Sequence, residues 1–363
     1  MKDLPPAGRV PLLVLGMVSL VAGTLAGLAR LGWDVPGLAA ARAGSHGALM
    51  VCAFFGTVIS LERAVALGRG WAYLAPATAG LGGLALLAGA PPPAAPLAAS
   101  LAAAVLVAAS LRIMARLVAP FTIVLALAAG CWLAGNLAWL AGADAAAAAP
   151  CWFAFLVLTI AGERLELTRF LPTPPAARGV FLAIVGVVLG GAGLSLVRAG
   201  AGYPVFAGGL LALALWLSIY DIARHNAGQT GLTRFIAVCL LGAYGWLAAA
   251  GALGLAGAFA PGHPWRDAAL HSLGLGFVFS MVFGHAPIIF PAITRVRIPY
   301  RPAFYLPLAL LHATLALRVG AGLGDTFARR QDGGLGNALA LLAFVVTLAT
   351  TVILGRRPGR SGP

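Results

Sequence analysis

Along the whole chain, runs of about twenty apolar residues alternate with short polar breaks. They lie near 10-30, 44-66, 70-90, 94-117, 119-141, 148-168, 179-199, 203-224, 233-257, 267-290, 301-320 and 334-355. At 1.5 Å per residue, each run is long enough to cross a hydrocarbon layer of roughly 30 Å as a helix. The pattern predicts an all-α polytopic membrane protein with about twelve transmembrane helices. The breaks are too short to hold a soluble domain, so residues 1-363 read as a single transmembrane domain.

Polar residues inside the runs suggest a repeat. The second run reads HGALMVCAFFGTVISLER from His46, and the sixth reads AFLVLTIAGER from Ala154. Aligning their Glu-Arg pairs superposes Ala53-Phe54 on Ala154-Phe155. The tenth run reads HSLGLGFVFSMVFGHAP, and setting His271 on His46 puts Phe279 on Phe54. The twelve helices then fall into three pseudo-repeats of four, roughly 10-117, 119-224 and 233-355, with helices 2, 6 and 10 as equivalents.

Composition agrees with this reading. Hydrophobic residues make up 61% of the chain and charged residues 9%, which no soluble domain of this length could bury. A net charge of +14 would suggest nucleic acid in a soluble protein. Here the basic residues stand singly at the ends of apolar runs, which is a topology signal. Seventeen Lys and Arg fall on the amino terminus, even-numbered loops and tail, against seven on odd-numbered loops. The positive-inside rule then predicts a multi-pass protein of a bacterial inner membrane with both termini cytoplasmic and no nucleic-acid partner. The first run reads as a permanent span and not as a cleavable signal peptide. The four cysteines, Cys52, Cys131, Cys151 and Cys239, sit in apolar runs without CxxC spacing and read as small buried hydrophobes.

Ionisable groups at membrane depth are costly and usually face a cavity, a partner or a cofactor. Four histidines qualify: His46, His271, His285 and His312. His46 and His271 lie at matched depth near the outer ends of helices 2 and 10, which suits two axial ligands of one haem. Fourteen residues, about 3.9 α-helical turns, separate His271 from His285, so both are expected on one face roughly 21 Å apart. Gly276, Ser280 and Gly284 mark the opposite face as one for close helix packing. Pro287 and Pro291 should kink or end this helix. His285 and His312 are candidates for a second cofactor site, His312 also for a simple bond across a helix interface.

On the inner side, Glu62-Arg63, Glu163-Arg164 and Glu166 form acid-base pairs at the ends of helices 2 and 6, with His285 at similar depth. Glu62, Glu163 and Arg164 are proton-relay candidates or interfacial ion pairs. Arg318, Asp221 and the aromatic residues near span ends, Tyr73 among them, read as snorkelling or interfacial anchors. Gly190-Gly191 and Gly333-Gly334 lack any nucleotide-binding context.

Twelve spans, three four-helix blocks and an outer histidine pair on helices 2 and 10 resemble the catalytic subunit of the haem-copper oxidases. There the histidines of those two helices hold the low-spin haem. The layout is also similar to the NnrS family of haem-containing membrane proteins linked to nitric oxide stress and denitrification. The resemblance implies haem b at His46 and His271. The paired histidines on helix 7 and the histidine on helix 6 that would hold a second metal are missing, so no binuclear reduction of oxygen or nitric oxide is implied. The leading expectation is a haem-b protein serving nitric oxide or redox stress, or electron transfer, with a redox partner or a diatomic gas as ligand. The alternative is a proton-coupled transporter using Glu62, Glu163 and His285 around a water-filled cavity. A copper protein using Met50, Met281 and histidines is a third reading, weakened by a total of five methionines.

Overall fold

In hydrocarbon a backbone must satisfy its own N–H and C=O groups, so apolar runs of this length fold as helices. The computed structural model describes residues 3–355 apart from Phe170 and Thr173. Twelve of its helices are long and apolar enough to cross a membrane. They are α1 (Pro6–Arg30), α2 (Ala43–Leu67), α3 (Gly70–Ala88), α4 (Ala94–Arg116), α5 (Pro120–Leu140), α6 (Ala145–Thr168), α7 (Pro175–Ser195), α8 (Ala199–Tyr220), α9 (Gly231–Leu255), α10 (Arg266–Thr294), α11 (Pro302–Leu323) and α12 (Phe327–Leu354). No strand occurs among the described residues. Lys2, Arg356, Arg357 and Arg360, which contribute to the charge asymmetry, lie outside them.

Local chemistry sets the ends. Proline opens α1, α5, α7 and α11, where its missing N–H costs nothing. Gly68 and Gly89, at φ 65° and 70°, close α2 and α3 in the left-handed region. The Asp144 carboxylate accepts from the Ala147 N–H at 2.7 Å and caps α6. Large apolar side chains such as Val14, Leu101, Leu215 and Leu342 are exposed on the outside of the bundle, as a lipid-facing surface requires.

The start of α12 is corrected. α12 begins at Phe327 and not near 334, because its charged first turns are held by neighbours: Gln331 donates to the Leu31 carbonyl (2.7 Å) and its own carbonyl accepts from the Trp33 indole (3.2 Å). α10 runs through Pro287 and Pro291 to Thr294 without ending.

α2, α6 and α10 are the three most buried spans and touch one another at the centre. The other nine surround them, mostly as hairpins of consecutive helices. The core is continuous through all three blocks, from Leu20 to Phe344. α2 and α10 share a further feature: Leu49–Phe55 and Ser272–Phe279 are π-helical, whereas α6 is α-helical throughout. π-Helical turns are rare and cluster at functional sites. Here they begin three residues after His46 and one after His271.

Twelve crossings bring both ends of the described chain to one face of the bundle, the terminal face. α1 is fastened to late helices at both of its ends. Arg9 donates to the Ile293 carbonyl of α10 at the terminal face (3.3 Å), and the Leu31–Gln331 bond joins α1 to α12 at the far face.

Candidate functional site

At the far face, the first turns of α2 and α10 bring His46 and His271 together. Their ring centroids are 6.1 Å apart and their planes differ by 20°. Each ring is held through Nδ1. His46 Nδ1 lies 2.7 Å from the Gly23 carbonyl of α1, and His271 Nδ1 lies 2.8 Å from the Asp267 carbonyl one turn back. A carbonyl only accepts, so Nδ1 carries the proton, and in the neutral form of either ring Nε2 keeps its lone pair. Metal-bound histidines are commonly oriented in this way.

Gly27 makes room for His46, since a Cβ there would lie 2.8 Å from the ring Cε1. Behind His271, the Asp267 carboxylate lies 3.2 Å from Nδ1. It also accepts two bonds from the Arg318 guanidinium of α11, at 2.9 and 2.7 Å. Arg318 is therefore a buried partner in a bidentate pair and not a snorkelling anchor.

Metal–imidazole bonds of about 2 Å and imidazole radii of about 1.1 Å place two axial rings about 6 Å apart. The His46–His271 spacing has this value. No third His, Cys, Asp or Glu completes a metal-binding group with them among the described residues.

His285 and His312 do not join this pair. The π-helical stretch breaks the 3.6-residue phase between His271 and His285, so the fourteen-residue count does not put them on one face. His285 instead donates from Nδ1 to the Met281 carbonyl (2.8 Å) and accepts at Nε2 from Arg164 of α6 (3.0 Å), which occupies both ring nitrogens. His312 on α11 accepts from the Trp246 indole at 2.7 Å and stacks on that ring. Met50 lies against Gly23 of α1, whereas Met281 lines a separate cavity.

That cavity has a volume of about 550 Å³ and lies between α1, α2, α6, α10 and α12 on the terminal-face side. Glu62, Glu163 and His285 are among its lining residues. The pairing differs from expectation: sequence neighbours on a helix point about 100° apart, so they do not pair with each other, and two of the three bonds cross between helices. Glu163 pairs with Arg63 of α2 (3.3 Å), Arg164 turns to His285, and Glu166 pairs with Arg169 (3.7 Å).

Between the histidines and the cavity lie Phe54, Phe55 and Phe279. Phe54 and Phe279, equivalent in the repeat, stack with centroids 5.9 Å apart and planes 8° apart.

Sequence reasoning missed the π-helical segments, the Asp267–Arg318 support and a buried node at Asn136. Asn136 of α5 donates to the Ala99 carbonyl (3.1 Å) and accepts from the Trp152 indole (2.9 Å) and the Cys52 thiol (3.3 Å). An asparagine in the middle of an apolar run was the available signal. The same holds for Asp221, read as an anchor. It is 1% exposed, bonds the Ala223 N–H at 2.8 Å, and burial pushes its carboxyl up from the usual range. Tyr73 is likewise buried, donating to Asp3 at 2.7 Å.

No curated protein matches the chain. A family model described as Domain of unknown function (DUF8744) matches residues 9–353. Since that match runs from the first turn of α1 to the last turn of α12, the chain belongs to the DUF8744 family.

Proposed function

We propose that this is a haem-b-binding membrane protein of NnrS-like type, in which His46 and His271 would hold the haem, working in electron transfer. The observation that carries the reading is the far-face pair: two imidazoles at ligand spacing, each with Nδ1 fixed to a carbonyl and Nε2 free. Two imidazoles would leave a bare ion open to further ligands, whereas a porphyrin would supply four nitrogens of its own. When bound, haem would supply a one-electron couple. Asp267 and Arg318 would hold the His271 ring and raise its basicity as a ligand.

The protein would sit in a bacterial inner membrane with the terminal face cytoplasmic, a placement supported by the distribution of Lys and Arg.

The test is an absorbance spectrum of detergent-purified protein, air-oxidised and then dithionite-reduced, with a pyridine haemochrome assay. A sharp reduced α-band of a bis-histidine b haem is expected, lost in His46→Ala and in His271→Ala. A colourless protein after expression with added haem precursor sinks the reading.

A second reading, the proton-coupled transporter, rests on the shared cavity of Glu62, Glu163 and His285. Under it Glu163→Gln abolishes transport, and His46→Ala leaves transport intact.

A further inference from the structure

The terminal-face cavity is a feature that the histidine pair does not use. At about 550 Å³ it has the size of a site for a small organic ligand. Its walls are mostly leucine, isoleucine, valine and phenylalanine, and its polar lining side chains are Glu62, Thr159, Glu163 and His285. Val345 and Ile353 of α12 belong to the lining and are also 37 and 62% exposed on the outside of the bundle. The cavity is therefore reached from the acyl-chain region of the bilayer, and walls of this kind take an occupant with an apolar body.

The charged part of the lining selects the head of the molecule. Two carboxylates, Glu62 and Glu163, line the cavity, and no lysine or arginine does among the described residues. Arg63 reaches Glu163 from outside the lining, at 3.3 Å. Glu62 makes no hydrogen bond among the described residues, so one acidic group is left for the occupant. An anionic head would meet like charge with no counter-ion in the lining. A neutral body, an acyl chain included, would leave Glu62 without a partner. A cationic head satisfies it, and a cation entering an apolar space needs such a carboxylate to offset its lost hydration. Six phenylalanines, Phe54, Phe55, Phe279, Phe283, Phe290 and Phe344, line the same space. Aromatic rings attract a desolvated cation through their quadrupole and give its apolar groups a surface to pack on.

From these features we infer that the cavity binds lipid-soluble organic cations, the charge held beside Glu62 and the apolar groups among the phenylalanines. Neither His46 nor His271 lines the cavity, so the inference stands apart from the haem reading. It rests on the same cavity as the transporter reading and gives that reading a class of substrate. Binding is measured without a gradient, so a failure to bind and a failure to transport are told apart.

The test uses full-length protein in nanodiscs of zwitterionic phospholipid, with radiolabelled tetraphenylphosphonium binding followed by equilibrium dialysis and empty nanodiscs subtracted. Tetraphenylborate, of similar shape and opposite charge, is the comparator. Saturable binding of one tetraphenylphosphonium per protein is expected, at least about tenfold tighter than any saturable binding of tetraphenylborate. Glu62→Gln should weaken it about tenfold, through loss of the paired charge. Glu62→Asp, which keeps the charge, should stay within about threefold of wild type. Ala286→Trp, which fills part of the cavity, should abolish binding. Unsaturable binding overturns the inference, as does equal affinity for tetraphenylborate, which would mean an apolar cleft indifferent to charge. An unchanged affinity in Glu62→Gln, with its thermal unfolding midpoint preserved, also overturns it.

Discussion

Asn136 links four central or near-central helices through one side chain: α5 itself, α4 through Ala99, α6 through Trp152 and α2 through Cys52. Asn136→Leu leaves the buried Trp152 indole without its acceptor, and we expect a loss of about 1–2 kcal/mol, read as a lower Tm in detergent. Arg318→Leu removes both bonds to the half-buried Asp267 carboxylate and should cost about 1.5–3 kcal/mol, whereas the exposed Arg112→Leu should be close to neutral. In sequence, Arg318 and Arg112 look alike: an arginine near the end of an apolar run. Which one snorkels and which one pairs depends on whether a carboxylate arrives from another helix, and for Arg318 that carboxylate is 51 positions away. The histidine pair was more legible, because two ionisable groups at equal depth on equivalent helices already implied a meeting.

Helices wrote themselves into the sequence because lipid demands an apolar run wherever backbone crosses it, so eleven of the twelve spans lie within a few residues of their predicted places. The late start predicted for α12 came from reading Arg329, Arg330 and Asp332 as loop; interhelical bonds to its Gln331 made them helix. The π-helical stretches had no such signature. A change from i→i+4 to i→i+5 bonding leaves hydropathy untouched while altering which side chains share a face. Packing glycines were partly legible. The small face of α10 does meet α9, where a Cβ on Gly276 would run into Trp246 and one on Gly284 would lie 3.1 Å from Cys239 Cβ. Gly276→Ala should therefore lower Tm markedly. Gly186→Ala in α7, with open space around it, should hold or slightly raise Tm, since alanine is the better helix former.

For the molecule as a whole, the charge asymmetry makes a statement about sidedness that labelling can check. Asp34→Cys lies on the exposed far-face connection between α1 and α2, and Gly228→Cys on the exposed terminal-face connection between α8 and α9. An impermeant maleimide applied to intact cells should label the first and reach the second only after lysis. The opposite result would invert the orientation. The cavity, by contrast, was illegible beforehand, because its walls use the same leucine, isoleucine and valine that face lipid elsewhere. The attachment of α1 to helices near the end of the chain carries a consequence in time. Arg9 and its acceptor Ile293 are 284 residues apart, an interval of about 14–57 s at ordinary synthesis rates of about 5–20 residues per second. Throughout that interval the first helix is in the membrane with neither of its fastenings made, so the ribosome's last helices are the ones that latch its first. A chain that stalls before α10 leaves an open seam, and quality-control proteases that survey the bilayer have that seam to recognise.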